Sequence, residues 1–424
     1  MRIALGLALL VGFAAPAQAQ EAEQSSGTAE IFRRFADRVV KIEVVETGSG
    51  AKATVGSGFL VTAVGHLVTN YHVVSQFVRR PERYRVQWYL AAGRVRPGRV
   101  IGVDVVRDLA VVSTDVATDR FFTLTSVPLP QGTRLYSLGH PHDLGLSIVE
   151  GTYNGLLEHS LYPKIHFTGP INPGMSGGPA LAPSGQVVGV NVSTAGDEVS
   201  FLVPIEPAIA LLSRTSNAAV PAPAKLLENV GAQLLANQEA YLAPLFKTTD
   251  SAVRLGPFLV PTQPAPFFRC WGDADRRSQQ LYETVQHQCS TDDYIFLSGD
   301  QSSGIFTLEH RVVSSKKLNP LRFYSLYERQ FQNTSAVESS GDEELTAYRC
   351  ETRNVAQPGI VIRAIFCLRR YRRFAGLYDA AVKAAVLGAR DTGLLTSLTL
   401  SGVSFANAER LAKSFLERIR WAGR

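Results

Sequence analysis

The chain has 424 residues, 45% apolar and 19% charged, with a formal charge of +6. That is the composition of a soluble globular protein, long enough for two or three domains with their own cores. The basic residues are scattered, apart from Arg369-Arg370-Tyr371-Arg372-Arg373, and no aromatic-basic RNA signature accompanies them. The charge therefore argues against a nucleic-acid partner, and the cluster reads as a solvated strand end or, alternatively, a site for an anionic surface.

In chain order, Arg2 precedes an apolar run, Ile3 to Ala15, and the small-x-small pattern Ala17-Gln-Ala19. Residues 1–19 read as a secretory signal peptide, with the mature chain starting near Gln20 and ending up periplasmic or secreted. The run is short for a membrane anchor, the other reading, and no later segment is apolar for long enough to span. Thr28 can cap a short helix over Ala29 to Asp37, with Ile31, Phe32 and Phe35 on one side.

From Val39 to about Val203 the chain is a series of short β-rich runs separated by Gly, Pro and polar turns. They are Val39–Val45, Gly56–Thr62, His66–Thr69, Tyr84–Tyr89, Val95–Asp104, Leu109–Ser113, Thr133–Leu138, Leu146–Asn154, Lys164–Thr168 and Gln186–Val192. With no long helix among them, the spacing predicts antiparallel barrels or sandwiches.

Residues 213–225 are rich in Ala, Pro, Ser and Thr and read as a linker. Beyond it, residues 226–424 read as a separate α+β domain. Leu226 to Tyr241, Ala375 to Leu387 and Phe405 to Trp421 have helical spacing, whereas Ile295–Ser298, Ser303–Val313, Thr346–Glu351 and Ile360–Leu368 read as strands. All four cysteines lie here, and an exported chain permits disulfides. Proximity favours Cys270–Cys289 and Cys350–Cys367; the spacings do not match a zinc site, so no metal is expected.

The chemistry concentrates in Gly169-Pro-Ile-Asn-Pro-Gly174-Met-Ser176-Gly-Gly-Pro179. One serine among glycines suits a nucleophile whose own N–H helps hold an oxyanion; Gly-x-Ser-Gly alone is better read as a turn, and the longer string is the more specific signal. A serine nucleophile needs a base and a group that orients it. Among eight histidines, His72 stands at the end of the apolar run Leu67-Val-Thr-Asn-Tyr, on an expected turn. His140 and His142 instead suggest metal ligands, but no cysteine or carboxylate pattern accompanies them. Asp108 directly precedes an apolar strand and can sit beneath an imidazole, whereas Asp104 is better suited to solvent or to closing a turn.

Together, Gly56-Ser-Gly-Phe-Leu-Val, Leu67-Val-Thr-Asn-Tyr-His72-Val-Val, Arg107-Asp108-Leu-Ala-Val-Val and Ile171-Asn-Pro-Gly174-Met-Ser176-Gly-Gly-Pro179 resemble trypsin-like serine peptidases, nearest to the HtrA/Deg branch. The resemblance covers about Ala29 to Leu212. It implies an all-β domain over 29–212, with two β-barrels near 39–118 and 121–212. It also implies Ser176 as nucleophile, His72 as base and then acid, Asp108 as orienting group, and the N–H groups of Gly174 and Ser176 as oxyanion hole. Pro170 and Ile171 would line the primary pocket, which then suits a small or medium apolar residue. Val192, Ser193 and Thr194 would offer an edge to an extended peptide.

Met175 departs from the pattern, standing where digestive relatives carry Asp and HtrA-type enzymes usually Asn. No PDZ-like segment follows the barrels. The sequence thus points to an exported serine endopeptidase acting on protein or peptide substrates, without a cofactor, whose C-terminal domain binds substrate or partner or regulates access. The alternative is a catalytically silent peptide-binding or sensor protein on the same scaffold. Oligomeric state is not readable from the sequence.

Overall fold

The computed structural model describes residues 27–423 except 91–92, 195, 197–198, 248–250, 263–264, 276–279 and 333–342; the expected leader lies outside the described residues. After a helix at 27–35 (α1), strands β1 (Val39–Glu46), β2 (Lys52–Leu60), β3 (His66–Thr69), β4 (Tyr84–Tyr89), β5 (Val95–Asp104) and β6 (Leu109–Ser113) close into a barrel in the order β1-β2-β3-β6-β5-β4. A second closed barrel takes β7 (Arg134–Gly139), β8 (Ser147–Leu156), β9 (Ile165–Phe167), β10 (Pro179–Leu181), β11 (Val187–Thr194) and β12 (Ser200–Pro204). Closure pairs every strand of both sheets on two sides over part of its length, while the end of β11 runs on past its β10 partner.

β1 shows why these runs fold as strands. Its β-branched residues alternate between two cores, Val40, Ile42 and Val44 in one and Val39 in the other. The second core is the seam between the barrels, where Phe59 and Val68 of the first meet Leu138, Leu181 and Val190 of the second. Helix α2 (Tyr71–Arg79) interrupts the strands between β3 and β4, so His72 stands in the first turn of a helix rather than on the expected turn.

The putting-together of the C-terminal half depends on α4 (Pro223–Lys247), which follows α3 (Ile205–Thr215) and leaves only 216–222 of the expected linker outside helix. Leu226, Val230 and Leu234 of α4 pack into the first-barrel core, and Tyr241, Leu242 and Leu245 into the core of the C-terminal region. Short strands β13 (Ala252–Leu255) and β14 (Phe258–Pro261) follow. The region is built on a seven-stranded antiparallel sheet. Its strands are β15 (Phe268–Asp275), β16 (Glu283–Thr291), β19 (Phe306–Ser314), β20 (Arg349–Gln357), β21 (Ile360–Arg370), β22 (Tyr378–Val386) and β23 (Thr392–Val403). A hairpin, β17 (Ile295–Ser298) with β18 (Gln301–Ser303), stands apart from it.

The helix expected over Ala375 to Leu387 is instead β22, a strand inside this sheet. Its alanines favour helix locally, but the strand is buried on both faces: Ala380, Val382 and Ala384 in the main core, Ala385 against Phe323 and Tyr327 of α5 (Pro320–Gln332). Small residues fit that position, and tertiary packing overrides propensity. The last expected helix ends early, as α6 (Phe405–Glu417), with Arg420–Trp421 pairing as strand β24. Both expected cysteine pairs are disulfides joining directly opposed residues, Cys270–Cys289 across β15 and β16 and Cys350–Cys367 across β20 and β21. The arginine cluster is partly spent on ion pairs, Arg369 with Asp379 and Arg373 with Glu344.

Candidate active site

β3 and β6 pair with Thr69 opposite Ala110, which brings the start of α2 beside the turn before β6. There Asp108 holds His72 twice. One carboxylate oxygen accepts the His72 backbone N–H at 2.7 Å and the other meets Nδ1 at 2.6 Å. A carboxylate only accepts, so Nδ1 carries the proton and Nε2 of the neutral ring keeps its lone pair. Asp108 adopts a left-handed backbone (φ 56°), and buried Asn70 secures it by donating to the Asp108 carbonyl at 2.8 Å. Burial pulls the His72 pKa down, but the Asp108 charge and hydrogen bond outweigh it, and the net shift is upward. Asp104 is buried, accepts the Arg107 N–H at 3.1 Å and so closes the turn ahead of Asp108.

Ser176 approaches from the second barrel. Its carbonyl accepts the Ser57 N–H of β2 at 2.8 Å. A methyl group at Gly56 would fall 2.6 Å from Val73, the neighbour of His72, and 3.2 Å from the Ser176 carbonyl; the bare strand lets both halves close in. The Ser176 hydroxyl donates to the Val192 carbonyl at 3.3 Å and makes no hydrogen bond to His72.

Neither the Gly174 nor the Ser176 N–H donates to an acceptor among the described residues. The Pro173 carbonyl accepts the His142 N–H at 2.8 Å, and across a trans peptide this turns the Gly174 N–H the opposite way. Position 174 requires glycine twice over: its φ of 97° is left-handed, and a Cβ there would lie 2.3 Å from the His140 carbonyl. Fully buried Ser57 completes the support, accepting the His140 N–H at 2.9 Å and donating to the Gly174 carbonyl at 2.7 Å. Met175 is a fully buried plug among Leu135, Phe167 and Leu202, and its carbonyl accepts from Asn191 Nδ2 at 3.2 Å. An apolar anchor thus holds the loop.

The His140–Asp143 segment is itself gripped from the first barrel. Asp143 receives Lys41 at 2.7 Å and Lys52 at 2.5 Å, and both ammoniums also reach buried Glu43, at 3.0 and 2.9 Å. Burial alone would raise the Glu43 pKa, yet hydrogen bonds from Tyr89, Lys52, Gln87 and Lys41 bring it to about 2. Hydrogen bonds from Lys41 and Lys52 likewise lower Asp143 to about 2.

On the substrate side, Ile171 is buried with Met175 in the second-barrel core, and its N–H donates to Ser200 Oγ at 3.1 Å. Ser193 and Thr194 pair with Phe201 and Ser200 of β12, while β10 ends its pairing with β11 at Val190, leaving the other edge of Val192–Thr194 without a strand partner among the described residues. His140 is buried with its pKa lowered to about 4, chiefly by desolvation. Among the described residues the grouping close enough for a metal is Cys270, His287 and Cys289, whose sulfurs are joined in a disulfide. Sequence reasoning passed over Ser57, Asn70, Asn191 and Asp143. Ser57 and Asn70 stood inside quoted motifs, but their partners lie on other elements.

Residues 56–190 match the family model described as trypsin-like peptidase domain. Protease Do-like 1, chloroplastic, of Arabidopsis thaliana is 30% identical over 181 residues, 39% of this chain and 39% of that protein. The DegP-like periplasmic serine endoprotease of Halomonas elongata is 30% identical over 205 residues, 44% of this chain and 42% of that protein. The chain thus spans about two-fifths of the length of these curated relatives. Among solved structures, the crystal structure of Deg5 is 28% identical, covers 44% of this chain and 93% of its own, and has a TM-score of 0.39.

Proposed function

We propose that this chain, which carries a trypsin-like peptidase domain similar to the HtrA/Deg serine proteases, is an exported serine endopeptidase. The observation that carries the reading is the pair of hydrogen bonds that His72 donates to Asp108, which fixes an imidazole with its Nε2 lone pair available. The domain division, 29–212 for peptidase and 226–424 for an accessory region, belongs to the same proposal.

In this reading the Ser176 hydroxyl turns from Val192 to His72. Its oxygen attacks the peptide carbonyl carbon while Nε2 takes the proton. The carbonyl oxygen becomes an oxyanion held by the Gly174 and Ser176 N–H groups, each worth roughly 3–4 kcal/mol at the transition state. The C–N bond then breaks as Nε2 passes its proton to the departing amine, leaving an ester on Ser176. Water attacks that ester, gives its proton to Nε2, and Ser176 leaves with the proton restored. Ile171 beside the primary pocket and the free edge of Val192–Thr194 suit an extended peptide with a small or medium apolar residue at the cleaved bond.

Export is supported by the apolar leader and by a relative named periplasmic, alongside a chloroplastic one. No helix of the described residues is long and apolar enough to cross a membrane. The hydrogen bond from Ser176 to Val192, rather than to His72, favours the second reading, a silent peptide binder. A peptide-library digest separates the two: cleavage by the full chain that disappears in Ser176→Ala supports the peptidase, and binding without cleavage supports the other.

A further inference from the structure

Hairpin β17–β18 reaches from the C-terminal region to the helix that carries His72. Ile295 and Leu297 are buried in a core shared with Tyr71, Val74 and Val78 of α2. The intervening Phe296 packs at the border of that core, next to a register irregularity in the hairpin. Its ring is partly buried and stands edge-on to the His72 imidazole, with centroids 5.8 Å apart and planes inclined at 67°.

The hairpin that carries this ring is tied to the C-terminal sheet, and the segment leading to Asp108 is tied to α4. Phe296 pairs with Ser302 inside the hairpin, and the Gly304 N–H just beyond it bonds the Ser401 carbonyl at 3.1 Å, tying the hairpin to β23. From α4, the Gln233 amide accepts the Val105 N–H at 2.9 Å and donates to the Val103 carbonyl at 2.8 Å, gripping the segment that leads to Asp108. The C-terminal region therefore borders the imidazole and holds the segment that leads to its carboxylate partner. A substrate attacked by Ser176 has to lie within hydrogen-bond reach of His72, because the same imidazole serves the attacking oxygen and the departing nitrogen. Side chains flanking the cleaved bond then meet whatever borders the ring.

We propose that Phe296 is a specificity-determining residue, the wall of a substrate subsite beside His72 that favours an apolar side chain of limited bulk next to the cleaved residue and disfavours a charged one. The proposal rests on hydrolysis at Ser176 and assigns the accessory region a direct part in substrate choice.

The test uses the full chain, with peptide libraries varied on either side of the cleaved bond, and compares wild type with Phe296→Ala, Phe296→Leu and Phe296→Trp. Labelling of Ser176 by a diphenyl phosphonate runs in parallel. The expected result is a change of about tenfold or more, at one flanking position, in the kcat/KM ratio of bulky to small side chains, with Ala and Trp moving it in opposite directions. Phe296→Leu keeps the hairpin packed, so an intermediate shift there carries the result if Phe296→Ala unfolds. An unchanged ranking in every folded variant overturns the proposal. So does loss of labelling in the variants alone, which makes Phe296 a support for the imidazole. Absence of labelling in wild type sinks the hydrolase reading itself and this proposal with it, a distinguishable outcome.

Discussion

Ser57 and Gly174 are joined across the seam of the two barrels, the buried hydroxyl of the first donating to the carbonyl of the second at 2.7 Å. The same hydroxyl accepts the His140 N–H, so one side chain holds two segments that border the candidate oxyanion site. Ser57→Ala leaves both groups without that partner in a largely buried site, a loss of about 1–3 kcal/mol. If the hydroxyl sets the Gly174 peptide, kcat falls about tenfold or more while KM stays within about twofold, because the oxyanion forms only after binding. Steady-state kinetics on a peptide substrate, with thermal unfolding as the control, check this.

The pH dependence follows from His72, whose desolvation is outweighed by the Asp108 carboxylate to give a raised pKa. Hydrolysis should therefore rise with pH, with a midpoint above the unperturbed value of about 6.5. Asp108→Asn removes the raising charge, so the midpoint falls and turnover drops by about 10⁴. Stability runs the other way. A raised imidazole pKa stabilises the fold fully below its unfolded value, and that contribution is lost as pH rises through the folded one. Thermal unfolding followed against pH near neutrality should show the loss, and Asp108→Asn should flatten it.

The clamp on the His140–Asp143 segment has its own pH window. Glu43 and Asp143 are both held at about 2, below their ordinary values, so their contribution to stability is complete above about pH 4–5 and is lost as pH falls towards 2. This window lies below the one in which His72 changes charge, so the clamp is intact while the imidazole titrates. Lys41→Met with Lys52→Met should move acid unfolding and add a second, lower-pH step to the rate profile, seen by stopped-flow assay after an acid jump.

Met175 fills the second-barrel core, so a residue expected from relatives should not improve this chain. Met175→Asp buries a carboxylate with no partner ion and should cost roughly 3 kcal/mol or more, whereas Met175→Leu should cost less than about 1.5 kcal/mol. Urea unfolding of the two variants measures the difference. The opposite order would show that the loop has an ion partner for position 175.

A chain ending at Arg214 should not behave as an independent domain. It lacks Leu226, Val230 and Leu234, which cover the first-barrel core, and each buried aliphatic contributes about 1.5–3 kcal/mol. The shortened chain should unfold at lower temperature and associate through the bared surface, read by calorimetry and size-exclusion chromatography. A monomer as stable as the full protein would contradict the shared core.

The barrels were legible because their strands alternate and are punctuated: His66–Thr69, Tyr84–Tyr89, Val95–Asp104 and Leu109–Ser113 have the same ends in sequence and structure. The His72–Asp108 pair was legible because each residue abuts an apolar strand, and β3 and β6 pair. Much less could be read beyond residue 212. The alanines of β22 hide a strand whose neighbours are remote in sequence, and Phe296 carries no local sign that it faces His72. Ser57 and Asp143 were missed for the same reason: their partners, Gly174 and the two lysines, lie on other elements or across the seam.

The central claim is acyl transfer at Ser176 driven by His72, and a phosphonate that reacts only with an activated serine tests it most directly. Intact-mass and peptide-mapping spectrometry of the labelled full chain should find one adduct, on Ser176. It should be absent from Ser176→Ala and formed at least about 10³-fold more slowly in His72→Ala. An adduct on another residue, or labelling of Ser176 at the same rate without His72, would contradict the account.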